Sequence, residues 1–273
     1  MTDYLPFRPG LVPLEGANDI YQYPTNAAVV VRREGNMYDE NAEMHTRALI
    51  PLLNELPEFG INVARFSPVV THEHDHALVV EKVQGDSFKQ DHYSGMTEMQ
   101  KTEARQLLDA QYNYIAKKVA TDEAFLTDII GANQYIFTPT NGPILIDLGA
   151  GICPPSHDTD YTYRIGSEVT LLESILIEAG QLVANDTELQ DWRSKGILLM
   201  QKIADINGFN IDEATKQRLV DLSLGIEELS DEYSEEGLDE ELDQTLKKLL
   251  QSSNNSAYQE RNAEQRKKLE ATH

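Results

Sequence analysis

Phe125-Leu-Thr-Asp-Ile-Ile-Gly-Ala-Asn-Gln-Tyr-Ile-Phe-Thr-Pro-Thr-Asn-Gly-Pro-Ile-Leu-Ile-Asp-Leu-Gly149 is the stretch on which the reading of this chain turns. It sets Asp128 five residues before Asn133, then two short apolar runs, Gln134–Phe137 and Ile144–Ile146, joined by Thr138-Pro-Thr-Asn-Gly142. Asn-Gly between β-branched and aromatic residues predicts a tight hairpin. Asp147 closes the second run and is followed by Leu148 and Gly149. An Asp that ends an apolar strand is held by the strand and projects beyond it. An Asn at the start of the partner strand can offer a neutral oxygen to the same place. A hard divalent cation takes oxygen ligands, commonly one or two carboxylates together with substrate phosphates. An upstream Asp on a loop can accept the proton of an attacking hydroxyl. These are the parts that phosphoryl transfer asks of a protein, because its transition state needs positioning and charge neutralisation more than covalent chemistry.

Upstream of this stretch the pattern is mostly β. Ala27–Val31 reads as a strand, and so do Asn62–Val70 and His76–Glu81, with a polar turn at Thr71–Asp75 between the last two. Asp39 to about Leu53 carries Met44, Ala48 and Leu52 at helical spacing, and Pro51 is expected to end or kink that helix. Gln84-Gly-Asp-Ser87 breaks the pattern. Thr97-Glu-Met-Gln100 predicts a capping box, and Leu108, Tyr112, Ile115 and Val119 form one face of the helix that follows. After Pro154-Pro155 the spacing predicts helices at roughly 164–179, 187–206 and 211–229. Residues 226–243 hold ten acidic side chains and no Lys or Arg, the signature of a solvated face or connector. No internal repeat is visible.

Composition bounds the rest. The chain has 273 residues, 40% of them apolar, enough for one large core or two small lobes. Lys and Arg number 23 and Asp and Glu 46, a formal charge of −23 with pI near 4.6. So acidic a surface repels phosphate backbones and anionic lipid, so neither nucleic acid nor a membrane surface is expected as a partner. No window reaches the roughly 18 apolar residues of a membrane span. The start, Met1-Thr-Asp-Tyr-Leu-Pro6, lacks a basic segment leading into an apolar run, and a cytoplasmic location is expected. A single cysteine, Cys153, excludes an internal disulfide and reads as a buried filler. His72-Glu-His-Asp-His76 places imidazoles at alternate positions, a spacing open to Zn²⁺ or Ni²⁺, although an exposed hairpin turn is the simpler reading.

The Asp128…Asn133…Asp147-Leu148-Gly149 order resembles the catalytic core of the protein-kinase-like superfamily, which includes eukaryotic-type protein kinases and aminoglycoside-phosphotransferase-like small-molecule kinases. The resemblance implies an α+β, bilobal fold: a β-rich N-lobe at 1–82, a mostly helical C-lobe at 83–250 carrying the catalytic loop, and a polar helical tail at 251–273. It implies Asp128 as the catalytic residue, Asn133 and Asp147 as Mg²⁺ ligands, and ATP as the second substrate. More weakly, Leu78–Gly85 is similar to the family's strand-to-hinge segment, which would put the backbone of Glu81, Lys82 and Val83 against adenine. Gly16–Pro24 is similar to the loop that covers the phosphates, and Val29–Arg33 to the strand that carries the phosphate-binding Lys. Here Arg32 or Arg33 stands at that place. On the helix from Asp39, Glu43 is the choice to pair with that cation, with Glu40 second.

This chain departs from the family pattern in four respects. No Lys ends the Val29–Val31 strand; Gly16 is the one glycine of the phosphate loop; no His-Arg precedes Asp128; and no Ala-Pro-Glu follows Asp147. The last two point to the small-molecule or atypical branch. The function implied is ATP- and Mg²⁺-dependent phosphoryl transfer to a hydroxyl acceptor, a small molecule ahead of a protein, and a cationic one would suit the acidic chain. The first two departures keep alive a pseudokinase scaffold that binds nucleotide or a partner protein without turnover. A nucleotidyl (AMP) transferase on the same fold is the further alternative.

Overall fold

The protein was analysed as a computed structural model that describes residues 4–5, 12–13, 20–22, 29–34, 42–71, 76–88, 93–148, 151–156, 158–159 and 161–226, with side chains described at 47–67 and, within the later ranges, from 78 onward except 161–162. Its elements in chain order are β1 (Tyr4–Leu5), β2 (Val12–Pro13), β3 (Ile20–Gln22), β4 (Val29–Glu34), α1 (Ala42–Glu55), β5 (Asn62–Val63), β6 (Phe66–Thr71), β7 (His76–Glu81), β8 (Asp86–Ser87), α2 (Glu98–Thr121), β9 (Phe125–Leu126), β10 (Tyr135–Thr138), β11 (Gly142–Leu145), β12 (Ile152–Cys153), α3 (Tyr161–Leu182), α4 (Asp186–Asn207) and α5 (Glu213–Ser223). The architecture is mixed α/β, with helices and several small sheets. The chain forms two compact units: Met1–Leu107 with Leu126–Ile152, and Leu108–Phe125 with Cys153–His273.

The first unit holds a six-stranded sheet in the order β1-β6-β7-β4-β3-β2 and a four-stranded sheet in the order β5-β11-β10-β8. β7 pairs antiparallel with β4 (Val30 opposite Val80) and with β6 (Ser67 opposite Val79). Leu78 and Val80 are buried while Val79 and Glu81 are half-buried, the alternation a strand makes when one face meets a core. α1 covers β7. Its buried face is Leu49, Leu52 and Leu53, continued by Leu56 in the 3-10 turn Leu56–Phe59. Ala48, expected on that face, is exposed. The helix also runs through Pro51 to Glu55 instead of stopping there. Pro51 removes a single ladder bond, and it lies on the exposed side, where a freed carbonyl is solvated; three buried leucines outweigh that loss.

The expected strand over 62–70 is two strands in different sheets. Ala64 donates its N–H to the Leu145 carbonyl of the four-stranded sheet, at 2.9 Å. Arg65 accepts at its carbonyl from the Glu81 N–H of the six-stranded sheet, also at 2.9 Å. The chain therefore changes sheets between these two residues, and the Glu81 carboxylate takes the Arg65 N–H at 2.9 Å. β7 itself spans the expected His76–Glu81. The acidic segment lies outside the described residues apart from its first residue, and the helical tail and His72–Asp75 of the histidine cluster lie wholly outside them.

The capping box forms as expected. The Thr97 N–H donates to Gln100 Oε1 at 2.9 Å and the Gln100 N–H to Thr97 Oγ1 at 3.3 Å. Gln100 Nε2 also donates to the Asp86 carboxylate at 2.8 Å, tying the helix start to β8. Just before β8, a Cβ on Gly85 would collide with the Phe137 carbonyl of β10, so β8 approaches β10 across a gap that admits no side chain.

In the second unit α3, α4 and α5 pack together. Gly196 lets α4 close in, since a Cβ there would lie 2.9 Å from Val220 and 3.1 Å from Leu176. The expected α2 stripe of Leu108, Tyr112, Ile115 and Val119 is buried, and the Tyr112 ring meets Trp192 edge-on at 6.0 Å. At the centre is a fully buried arginine. Arg164 Nε donates to Glu168 Oε1 at 2.6 Å, Nη1 donates to the carbonyls of Glu123 (3.0 Å) and Pro154 (2.7 Å), and the guanidinium lies 4.6 Å over the Phe125 ring. Asn207 Nδ2 donates to the other Glu168 oxygen at 2.7 Å. Cys153 is buried beside this cluster, and desolvation pushes its thiol pKa up, in keeping with a filler.

Burial raises the Glu168 pKa above the ordinary Glu range, and the Arg164 and Asn207 contacts offset this only in part. The folded chain therefore holds that proton more tightly than the unfolded chain. Its contribution to stability is full below the unfolded value of about 4.3 and declines as pH rises through the raised folded value. Urea denaturation at a series of pH values should show wild-type stability falling with rising pH relative to Glu168→Gln, which has no proton to lose. Parallel curves would contradict the assignment.

Candidate functional site

The four-stranded sheet positions the residues that the sequence singles out. β10 and β11 form an antiparallel hairpin with Phe137 opposite Pro143 and Tyr135 opposite Leu145. Thr138 locks its turn, accepting from the Asn141 N–H at 3.0 Å and donating through Oγ1 to the Gly142 carbonyl at 3.1 Å. Gly142 has φ 64°, a left-handed conformation that glycine takes without a Cβ penalty. Asn62 adds a bond from Nδ2 to the Asn141 carbonyl at 3.1 Å.

Asp128 lies in the loop between β9 and this hairpin. Leu126 and Ile129 on either side of it are fully buried, while Asp128 is exposed. The Tyr135 hydroxyl donates to the Ile129 carbonyl at 2.7 Å inside the core, fixing the loop from below. The Thr127 N–H donates to the Gly151 carbonyl at 2.8 Å, fixing it from the side. The loop reverses at Gly131 and enters a 3-10 turn, Ala132–Gln134.

Asn133 sits in that turn with its side chain exposed. Among the described residues its side chain makes no hydrogen bond. Its neighbour Gln134, which sequence reasoning passed over, makes the connections. Gln134 is 8% exposed. Its Nε2 donates to Asp128 Oδ1 at 3.1 Å. Its backbone carbonyl accepts from the Ile146 N–H at 3.0 Å and, at 3.5 Å, from the Asp147 N–H. Its Oε1 is buried and has no partner among the described residues. A buried amide oxygen left unpaired costs about 1–3 kcal/mol. The one signal in the sequence was a polar residue opening an otherwise apolar strand.

Asp147 is half-buried, two residues beyond the end of β11, and the following Leu148 is fully buried, which fixes the path of the turn. Asp128, Gln134 and Asp147 are thus joined by hydrogen bonds within the first unit. Glu81, Lys82 and Val83 lie at the end of β7 in the same unit, and the N–H and carboxylate of Glu81 are both engaged with Arg65. Arg32 and Arg33 are backbone partners of Leu78 and Ala77. Their side chains and that of Glu43 lie outside the described residues, as does Gly16.

Chemically the described groups are oxygens. Among the described residues no three His, Cys, Asp or Glu side chains are grouped as a metal site. A Mg²⁺ held largely by phosphates needs only one or two carboxylates, and the Asp147 carboxylate and the Asn133 amide oxygen are donors of the chemical type it takes. No family model matches this chain, and no curated protein matches it.

The bond from Thr127 to Gly151 leaves little room. A Cβ on Gly151 would lie 2.5 Å from Thr127 Oγ1. Gly151→Ala should therefore lower stability by about 1–3 kcal/mol, and Thr127→Ala in the same chain should recover much of that loss. Thermal denaturation of the two single variants and the double variant measures the coupling; additive effects would show that the two residues do not meet.

Proposed function

We propose that this chain is a phosphotransferase of the protein-kinase-like type, transferring the γ-phosphoryl group of ATP to a hydroxyl acceptor, with a small molecule ahead of a protein and a bilobal organisation of the family's kind. The observation that carries this reading is the hydrogen-bonded link from Asp128 through Gln134 to the Asp147 turn. Each residue singly has a simpler use, as a loop acid, a strand opener or a turn former. Those uses do not account for their order in the chain together with their connection in space.

On this reading Asp128, exposed at the loop, accepts a hydrogen bond from the acceptor hydroxyl and takes its proton as the new oxygen–phosphorus bond forms. The bridging oxygen leaves with ADP, and the proton passes on to solvent. A Mg²⁺ ion, when bound, neutralises charge on the phosphates, and Asp147 with Asn133 would hold it. Arg32 or Arg33 would contact phosphate in place of the missing Lys. The Glu81 N–H is already taken by Arg65, so the adenine contacts expected of this segment fall to Lys82 and Val83.

The test is thermal denaturation with ATP, with and without Mg²⁺. A ligand that binds only the folded state at about 100 times its Kd adds roughly 2.7 kcal/mol, a rise of about 5–10 °C for a chain of this size. The rise should require Mg²⁺ and should vanish in Asp147→Ala. A nucleotide-independent melting point would contradict the reading. Binding without ADP release points to the scaffold, and AMP on the acceptor to nucleotidyl transfer.

A further inference from the structure

Asn-Gly occurs twice in the sequence, at Asn141-Gly142 in the β10–β11 turn and at Asn207-Gly208 where α4 ends. The pair is reactive because glycine has no Cβ to shield its peptide nitrogen, and that nitrogen lies within intramolecular reach of the Asn side-chain carbonyl carbon. The fold treats the two pairs oppositely. Asn207 is buried, and its Nδ2 is spent on Glu168 Oε2 at 2.7 Å and on the Ile203 carbonyl at 2.9 Å. Asn141 is exposed, and among the described residues its side chain makes no hydrogen bond. Its backbone is held instead: the N–H donates to Thr138 Oγ1 and the carbonyl accepts from Asn62 Nδ2. Gly142 beside it has a positive φ and packs against a carboxylate, since a Cβ there would lie 3.6 Å from Glu103 Cδ and 3.7 Å from Glu103 Oε1.

We propose that Asn141 is a site of spontaneous deamidation, and that its product loosens the hairpin turn on which the candidate site depends. The Gly142 peptide nitrogen attacks Asn141 Cγ and forms a new C–N bond. The bond from Cγ to Nδ2 breaks, and Nδ2 leaves as ammonia with the peptide proton. Water then adds to either carbonyl of the cyclic imide and opens it, to aspartate or to isoaspartate. Water is consumed and ammonia released, and nothing is oxidised or reduced. The attack requires the Asn141–Gly142 peptide to turn toward the side chain, so it proceeds from local openings that break the Thr138 and Asn62 bonds. Isoaspartate lengthens the main chain by a methylene inside the turn that sets the hairpin register. Either product adds a carboxylate next to the glycine that Glu103 packs against, and like charges at close range repel. None of this depends on the phosphotransferase reading.

The full folded chain is incubated in oxygen-18 water at mildly alkaline pH and read by peptide mass spectrometry. Label should enter at Asn141, as aspartate and isoaspartate, and stay absent from Asn207, whereas a sample unfolded in urea should label both. No label at Asn141 in the folded chain, over a period in which the unfolded chain labels fully, overturns the proposal, and so does equal labelling of the two sites. Thr138→Ala, which removes a bond that holds the turn, should speed the folded-state reaction about fivefold. If Thr138→Ala does not fold, the exposed Asn62→Ala takes its place with the same direction expected. An unchanged rate contradicts reaction through turn opening. For the consequence, the fraction deamidated at Asn141 is separated by anion exchange and melted beside the unreacted protein. It should melt lower, and the difference should shrink in Glu103→Gln. Equal melting points contradict the loosening of the turn, and an undiminished difference in Glu103→Gln contradicts the part assigned to Glu103.

Discussion

The candidate site depends on one side chain and its own peptide carbonyl. Gln134 reaches Asp128 with its amide nitrogen and the Ile146–Asp147 backbone with its carbonyl, so a loop acid and a post-strand acid, 19 positions apart in the chain, are both tied to one residue. The β10–β11 hairpin makes this possible. Its register returns the chain to the level of Gln134 at Leu145–Ile146, and the Thr138–Gly142 turn sets that register. A slip by one residue would turn Tyr135 and Leu145 out of the core and carry Asp147 away from Gln134. Stability and chemistry share one constraint here, since the buried face of the hairpin and the placement of the acids follow from the same pairing.

Much of this was legible in the sequence where local chemistry decides. Asn141-Gly142 announced the hairpin, Thr97 and Gln100 the capping box, and the Leu108–Val119 stripe the buried face of α2. His76–Glu81 was legible because alternation and β-branching agree over its length. What escaped was decided by distant partners. Asn62–Val70 reads as one strand, and only the competing demands of Leu145 and Glu81 divide it at Ala64–Arg65. Pro51 reads as a stop, but the leucines on the opposite side of α1 carry the helix past it. Gln134 was overlooked because Asn133 beside it filled the expected role, and nothing local says which of two adjacent amides turns inward.

The second unit shows another use of buried polarity. Arg164 is fully buried, yet its guanidinium meets a carboxylate, two carbonyls and an aromatic face, and its carboxylate partner is shared with Asn207. Removing the Glu168 carboxylate would cost the buried guanidinium its shortest ion pair, and such a cluster holds the segments it joins in one arrangement. Here those segments are the loop at Glu123, the Pro154 turn and α3. Both units are thus organised by polar side chains at the junctions of loops, set against apolar sheets and helices that supply the bulk of the burial.

The proposal that these acids hold a metal nucleotide is tested most directly by paramagnetic relaxation. Mn²⁺ in place of Mg²⁺, added with a non-hydrolysable ATP analogue to isotopically labelled protein, should selectively broaden the backbone amides of Asn133, Gln134 and Asp147, then Asp128, at substoichiometric metal. Broadening centred elsewhere, or none that depends on the nucleotide, would contradict the account.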